Sequence, residues 1–241
     1  MRMIDIHMHL IPGVDDGADN TEDALRMALR AYDQGVNTIF ATPHSNAFDE
    51  QPENTFRQYR ILRNQLNGYF PGMKLLLGCE VYCESDRMAE ITAALDCGQY
   101  PTMNGTEYVL VECSKWVQPK SLLLCTQALR NAGYVPIVAH LERYVGLRNR
   151  LDLVDYLLDS DCHIQVNAYS FFDEMEAPVK LWARRLATEG VIDFLGTDAH
   201  SMHNRPPSVK RGLDWLYSNC DPDYVDAIAW ENARKVLVET L

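Results

Sequence analysis

Seven short apolar runs rich in β-branched residues alternate along the chain with amphipathic stretches. The runs are Met3–His7, Asn37–Thr42, Lys74–Cys79, Tyr108–Glu112, Val135–Ala139, Ile164–Val166 and Ile192–Gly196. Helical spacing marks Thr21–Gln34, Glu53–Leu66, Asp86–Leu95, Ser121–Asn131, Leu151–Leu158 and Val179–Thr188, with further helices expected at Ser208–Leu216 and Asp223–Val238. Gly35, Gly68, Gly98, Gly133 and Gly190 stand where helices would stop. Such a β-α alternation implies a parallel sheet, either open or closed into a barrel. With 241 residues and no linker, repeat or low-complexity run, one domain spanning 1–241 is expected.

The ionisable residues fall at the ends of these runs. His7 and His9 end the first, His44 follows the second, Glu80 follows the third, Glu112 ends the fourth and His140 follows the fifth. Asp198 and His200 follow the seventh, so five of the seven histidines lie at carboxyl ends of expected strands. In a parallel barrel those ends open on one face, where sites of this architecture form. Residues i and i+2 of an extended chain point the same way, so His7 and His9 can aim into one mouth, with Asp198 and His200 opposite. His163 opens a strand and reads as structural, and His203 reads as a loop residue near the site.

His7-Met8-His9 by itself would be no more than a strand carrying polar residues. A carboxylate inside a barrel mouth, however, must be paired or bound to a cation, because leaving it unpaired is costly. The coincidence of imidazoles and carboxylates at successive strand ends therefore points to a metal centre. Its donors are nitrogen and oxygen without thiolate, which suits Mn²⁺, with iron or zinc as alternatives. His7, His9, Asp16, His44, Glu80, Glu112, His140, Asp198 and His200 outnumber the ligands of one ion, so two or three ions sharing carboxylates are expected. Closely spaced ions supply hydroxide at neutral pH and stabilise both oxygens of a phosphoester displacement. Arg143 and Arg205 lie in loops on the same face, where guanidinium forks can hold phosphoryl oxygens.

Composition removes other routes. A net charge of −12 argues against a nucleic-acid partner, which needs clustered cations, although a metal cluster and a few arginines can still hold a phosphate. Cysteines 79, 83, 97, 113, 125, 162 and 220 are odd in number, show no Cys-x-x-Cys and read as reduced structural residues. A cysteine phosphatase needs an arginine at a fixed short distance after its nucleophile. At that spacing these cysteines are followed by Ser85, Ala89, Met103, Pro119, Asn131, Ala168 and Asp226. No apolar stretch is long enough to span a membrane, and Met3 to Phe40 already reads as strand, loop, helix and strand without a leader. A cytoplasmic location without membrane insertion is the expectation.

His7-Met8-His9, Asp15-Asp16-Gly17, Thr42-Pro43-His44, Gly78-Cys79-Glu80-Val81-Tyr82, Val111-Glu112, Ala139-His140-Leu141-Glu142-Arg143-Tyr144 and Thr197-Asp198-Ala199-His200 together resemble the PHP (polymerase and histidinol phosphatase) superfamily. Within it the chain is similar to bacterial protein-tyrosine phosphatases of the CpsB, CapC and YwqE type, from His7 to Glu231-Asn232-Ala233-Arg234. His140 to Tyr144 and His203-Asn204-Arg205-Pro206-Pro207 are the most specific pieces. The resemblance implies a distorted TIM-like (β/α)₇ barrel and a trinuclear, usually manganese-dependent centre. One ion would take His7, His9, Glu80 and Asp198; a second would share Glu80 and add Glu112 and His140; a third would take Asp16, His44 and His200. Arg143 and Arg205 would clamp the phosphate. The implied substrate is phosphotyrosine in the tyrosine-rich tail of a cognate bacterial tyrosine kinase controlling capsule or exopolysaccharide synthesis.

Direct hydrolysis without a phosphoenzyme is then expected from the ligand cluster and the missing cysteine loop; a phenolate is a tolerable leaving group, and whether a dedicated general acid is used is left open. Three rivals remain: a phosphatase of histidinol phosphate or another small molecule, a non-catalytic module binding the kinase tail, and an amidohydrolase. The last is disfavoured because the fourth expected strand ends in Glu112, where a bridging carbamylated lysine would be required. Oligomeric state is left open.

Overall fold

The computed structural model describes residues 2–238, so residue 1 and residues 239–241 of the expected 1–241 domain lie outside the described residues. In chain order the elements are β1 (Met3–Met8), α1 (Thr21–Tyr32), β2 (Val36–Ala41), α2 (Asn46–Glu50), α3 (Pro52–Tyr69), β3 (Lys74–Leu77), β4 (Glu80–Tyr82), α4 (Met88–Asp96), β5 (Tyr108–Glu112), α5 (Pro119–Asn131), β6 (Val135–Val138), α6 (Leu151–Asp159), β7 (His163–Asn167), α7 (Ala177–Thr188), β8 (Phe194–Gly196), α8 (Lys210–Asn219) and α9 (Pro222–Asp226). From α9 the chain continues in π-helical turns at Ala227–Glu231 and Arg234–Val238. Helix starts follow local chemistry. The Asn20 side chain caps α1 by accepting the Asp23 N–H, and prolines whose missing N–H costs nothing open α3, α5, α7 and α9.

All strand pairings are parallel. They form a three-stranded sheet, β1-β2-β3, and a five-stranded sheet, β4-β5-β6-β7-β8. Every residue of β1 is buried, as a parallel strand covered on both faces should be. Ile4, Ile6, Phe40, Leu110, Ile137 and Phe194 form one buried cluster, so strands of both sheets share a core.

The structure corrects the expected strand count and continuity. The run Lys74–Cys79 is split: β3 stops at Leu77, and β4 starts at Glu80, which therefore opens a strand instead of following one. Gly78 N–H still donates to Ala41 at 2.9 Å and Glu80 N–H to Pro43 at 3.0 Å. Pro43 has no N–H to return, so the ladder misses a bond there and resumes only as Ser45 N–H donates to Glu80 at 3.0 Å. The two sheets meet at two seams made of isolated parallel bridges, Met8 with Ala199 and His44 with Glu80. At the first seam Asp198 N–H donates to His7 at 2.7 Å and His9 N–H to Ala199 at 3.0 Å. The buried Asp5 carboxylate adds bonds from Thr197 N–H at 2.8 Å and Oγ1 at 2.6 Å. Gly196 permits this approach: a Cβ there would sit 2.7 Å from the His7 Cβ.

Four of the five helix-stop glycines have left-handed backbones, Gly35, Gly98, Gly133 and Gly190. Gly68 does not: it lies inside α3, and Gly72 takes the left-handed position. Two substitutions separate the roles of glycine. Gly68→Ala meets nothing within 4 Å and should stabilise the fold by about 0.5–1 kcal/mol. Gly212→Ala would place a Cβ 2.2 Å from the Ala168 carbonyl oxygen and should destabilise it by about 1–3 kcal/mol. Urea unfolding midpoints check both signs.

Candidate metal centre

Glu80 lies at the middle of the site. Its fully buried carboxylate is 3.2 Å from His7 Nε2, 3.2 Å from His9 Nε2, 3.0 Å from His44 Nδ1 and 2.9 Å from His140 Nε2. These partners come from β1, the residue just past it, the loop after β2 and the loop after β6. Glu112, at the end of β5, stands 3.5 Å from His44 and 3.6 Å from His140. Asp198 lies 3.7 Å from His7, 3.6 Å from His9 and 3.5 Å from His200. Asp16, exposed at the rim, is 3.4 Å from His44 and 3.3 Å from His200.

The nine residues fall into four overlapping groups, each with its donor atoms within 4.8 Å of one another: His9, Asp16, His44 and His200; His7, Glu80 and His140; His7, His9 and Asp198; His44, Glu80 and Glu112. The allocation implied by resemblance shares the sets His7-His9-Asp198 and Asp16-His44-His200 with these groups. It differs in that His9 also stands with the latter set, and Glu112 is grouped with His44 and Glu80.

Neighbours fix the imidazoles. His9 Nδ1 is 2.7 Å from the Asp15 carboxylate, His7 Nδ1 is 3.2 Å from Gln165 Oε1, and His200 Nδ1 is 2.9 Å from the Asp198 carbonyl. Each contact orients a ring and directs its Nε2 inward. Gln165 Oε1 also accepts the His140 N–H at 2.8 Å, and Asp15 accepts the His44 N–H at 3.1 Å. Gly17 is required beneath His9, because a Cβ there would lie 2.3 Å from the His9 carbonyl. His140, Asp198 and Arg205 all have left-handed backbones, a strained conformation for such residues that aims their side chains at the centre.

Both arginines converge on Asp198. Arg143 Nη1 donates to Oδ2 at 2.9 Å, and Arg205 Nη1 reaches Oδ1 at 3.2 Å and Oδ2 at 3.1 Å. The turn carrying Arg143 is itself anchored: buried Glu142 accepts Asn167 N–H at 3.1 Å and the Ser170 hydroxyl at 2.6 Å, and the Tyr144 hydroxyl accepts the Cys113 N–H at 3.0 Å. His163 lies apart, 3.1 Å from Asp193, and His203 is exposed. All seven cysteines are free.

Protein charges alone leave the cluster under electrostatic tension. Burial would depress the His9 imidazole, yet Asp15 and Glu80 push it well above its ordinary value. Burial likewise opposes ionisation of Asp15, but His9 holds its carboxyl down to about 2. Burial and the adjacent Glu80 carboxylate raise Glu112. For His200, burial and the positive charge of His9 lower the imidazole to about 3. Asp5 is pushed up to about 6 by burial, against its hydrogen bonds from Thr197 and His7.

Asp15, Gln165, Asp5 and Glu142 were not singled out from sequence. Asp15 adjoins Asp16 and could have been read from that pair. Gln165 and Asp5 sit within strands, where sequence carries no sign of their partners.

The similarities agree with this geometry. CpsB of Streptococcus agalactiae, a tyrosine-protein phosphatase, is 28% identical over 98% of both chains. YwqE of Bacillus subtilis, also a tyrosine-protein phosphatase, is 30% identical over 84% of this chain and 79% of its own. A solved structure from the work on YwqE of Bacillus subtilis and CpsB of Streptococcus pneumoniae, metal-dependent tyrosine phosphatases, superposes with a TM-score of 0.86 at 27% identity, covering 99% and 96% of the two chains. Residues 3–238 match the capsular polysaccharide synthesis family CpsB/CapC, and the chain belongs to that family.

Proposed function

We propose that the protein is a metal-dependent protein-tyrosine phosphatase whose centre is held by His7, His9, Asp16, His44, Glu80, Glu112, His140, Asp198 and His200. The observation that carries this is the convergence of Arg143 and Arg205 on Asp198, at 2.9 and 3.1 Å, beside the imidazole-carboxylate cluster. The donor set fits divalent cations: Glu80 Oε2 and His200 Nε2 are buried without a hydrogen-bond partner among the described residues, although each lies near an opposite group. Such atoms are satisfied by a cation. Two or three Mn²⁺ ions suit these oxygens and nitrogens, iron or zinc being the alternatives. The bridged seams support reading the two sheets as a distorted TIM-like (β/α)₇ barrel in one domain. The seven free cysteines support a cytoplasmic setting, and among the described residues no helix is long and apolar enough to cross a membrane.

Bound cations supply hydroxide near neutral pH and offset charge on the ester. Each arginine donates Nη1 to Asp198, which leaves Nε and Nη2 of Arg143 and Nε of Arg205 for phosphoryl oxygens, while Arg205 Nη2 lies 3.7 Å from Asp16. As the P–O bond from water forms, the bond to tyrosine breaks, and its electron pair leaves with a phenolate that takes a proton from solvent. The arginines stabilise the charge spread over the equatorial oxygens. The tyrosine-rich tail of a bacterial tyrosine kinase serving capsule or exopolysaccharide assembly is the proposed substrate, in keeping with the family's description.

Metal-stripped protein, reconstituted ion by ion, should regain turnover of a phosphotyrosine peptide and exceed its turnover of histidinol phosphate; the reverse preference would overturn the substrate reading. Because carboxylates raise His7, His9 and His44, metal loading must displace protons, and affinity should fall as pH falls, measurable by calorimetry in two buffers. Arg205→Ala keeps the backbone's Cβ and should lower kcat about 10²–10³-fold while metal content stays unchanged. Asp15→Asn should weaken metal binding about 10–100-fold by releasing the His9 ring.

A further inference from the structure

Beside the metal centre lies a cavity of about 650 Å³. Its wall carries six cationic side chains, Arg30, Lys115, Arg143, Arg148, Arg205 and Arg211, against one carboxylate, Glu176. That cationic excess is opposite in sign to the whole chain, whose net charge is −12.

Three of the cations are already paired. Arg143 and Arg205 hold Asp198, and Arg211 holds Glu174 at 2.6 Å. The other three have no carboxylate partner among the described residues. Arg30 is fixed by donating to the Pro207 carbonyl and the Ser208 hydroxyl, both at 3.2 Å, and its charge is left unneutralised. Lys115 rests 5.3 Å over the Trp116 ring. The Arg148 Nε is buried and has no hydrogen-bond partner among the described residues. A buried donor without an acceptor is a standing cost that an anionic ligand removes. The loops carrying Lys115 and Arg148 are tied together, since Val145 N–H donates to the Lys115 carbonyl at 2.9 Å. Their two charges therefore belong to one rim. Tyr169 and Phe172 line the same cavity with their rings.

We propose that Arg148 and Lys115 form a second anion subsite, which takes an acidic side chain flanking the phosphotyrosine of the substrate peptide. The claim rests on the phosphatase reading above and adds to it the substrate's sequence context. The phosphoryl group occupies the clamp of Arg143 and Arg205. A neighbouring glutamate or aspartate reaches across the cavity to the guanidinium of Arg148 and the ammonium of Lys115. This rim then favours acidic segments and repels basic ones.

The test compares two phosphotyrosine peptides that differ only in flanking Glu or Gln, with the manganese-loaded protein and p-nitrophenyl phosphate as a reference substrate. The Glu peptide should show kcat/KM about tenfold higher, the gain lying in KM and shrinking with added salt. In the double variant Lys115→Gln, Arg148→Gln the ratio of the two peptides should fall toward one, whereas Arg148→Lys should keep most of it. A ratio near one in the unaltered protein, or a preference undiminished in the double variant or by salt, would overturn the subsite. Should the double variant fail to fold, the salt dependence of the unaltered protein still decides. A manganese-loaded protein that turns over neither peptide nor p-nitrophenyl phosphate would instead overturn the phosphatase reading.

Discussion

The Glu80 carboxylate, fully buried and within 3.2 Å of four imidazoles, is the constraint on which the rest of the site depends. A lone carboxylate in such a place would be expelled or protonated. Against the effect of burial, His7, His140 and His44 hold its carboxyl well below the ordinary carboxylate range. The imidazoles of His7, His9 and His44 in turn rise only because carboxylates face them. Each group is tolerable only with the others present, so the cluster acts as a unit, and additive accounting of single residues would misrepresent it.

Backbone geometry is bent to serve that unit. Pro43 removes one bond from the ladder just before Glu80 enters, and Gly196 and Gly17 remove the side chains that would push β8 and the Asp15–Gly17 loop away from His7 and His9. His140, Asp198 and Arg205 hold left-handed conformations that only a well-determined surrounding can impose. The turn around Arg143 has three ties in consecutive residues: Glu142 to β7 and the turn after it, Arg143 to Asp198, and Tyr144 to Cys113. Its specificity as a sequence motif thus has a physical content, since each side chain fills a different structural duty.

Much of this was legible in the chain. Alternating apolar runs and helices gave the parallel architecture, because burial on both faces leaves a strand little freedom of composition. Polar residues at the ends of such runs stood out for the same reason, and His7, His44, Glu80, Glu112, His140 and Asp198 do lie together in space. The break between β3 and β4 was hidden because Leu77, Gly78 and Cys79 continue an apolar pattern, while the interruption arises from Pro43, just past the neighbouring strand β2. Gly68 looked like a helix stop because nothing local distinguishes an exposed helical glycine from a terminal one. The orienting roles of Gln165 and Asp5 depend on partners 158 and 192 residues away, a distance across which spacing carries no information.

The two seams between the sheets have a consequence for how the molecule holds itself shut. Each rests on an isolated bridge and a few hydrogen bonds, the Asp5–Thr197 pair included, whereas neighbouring strands within each sheet pair over several residues. His7 and Asp198 face each other across one seam, and His44 and Glu80 across the other. A cation shared by either pair therefore acts as a rivet between the sheets, and its binding energy enters the folding equilibrium directly. Loss of such a cation would then loosen the fold along the same lines that bring the cluster together.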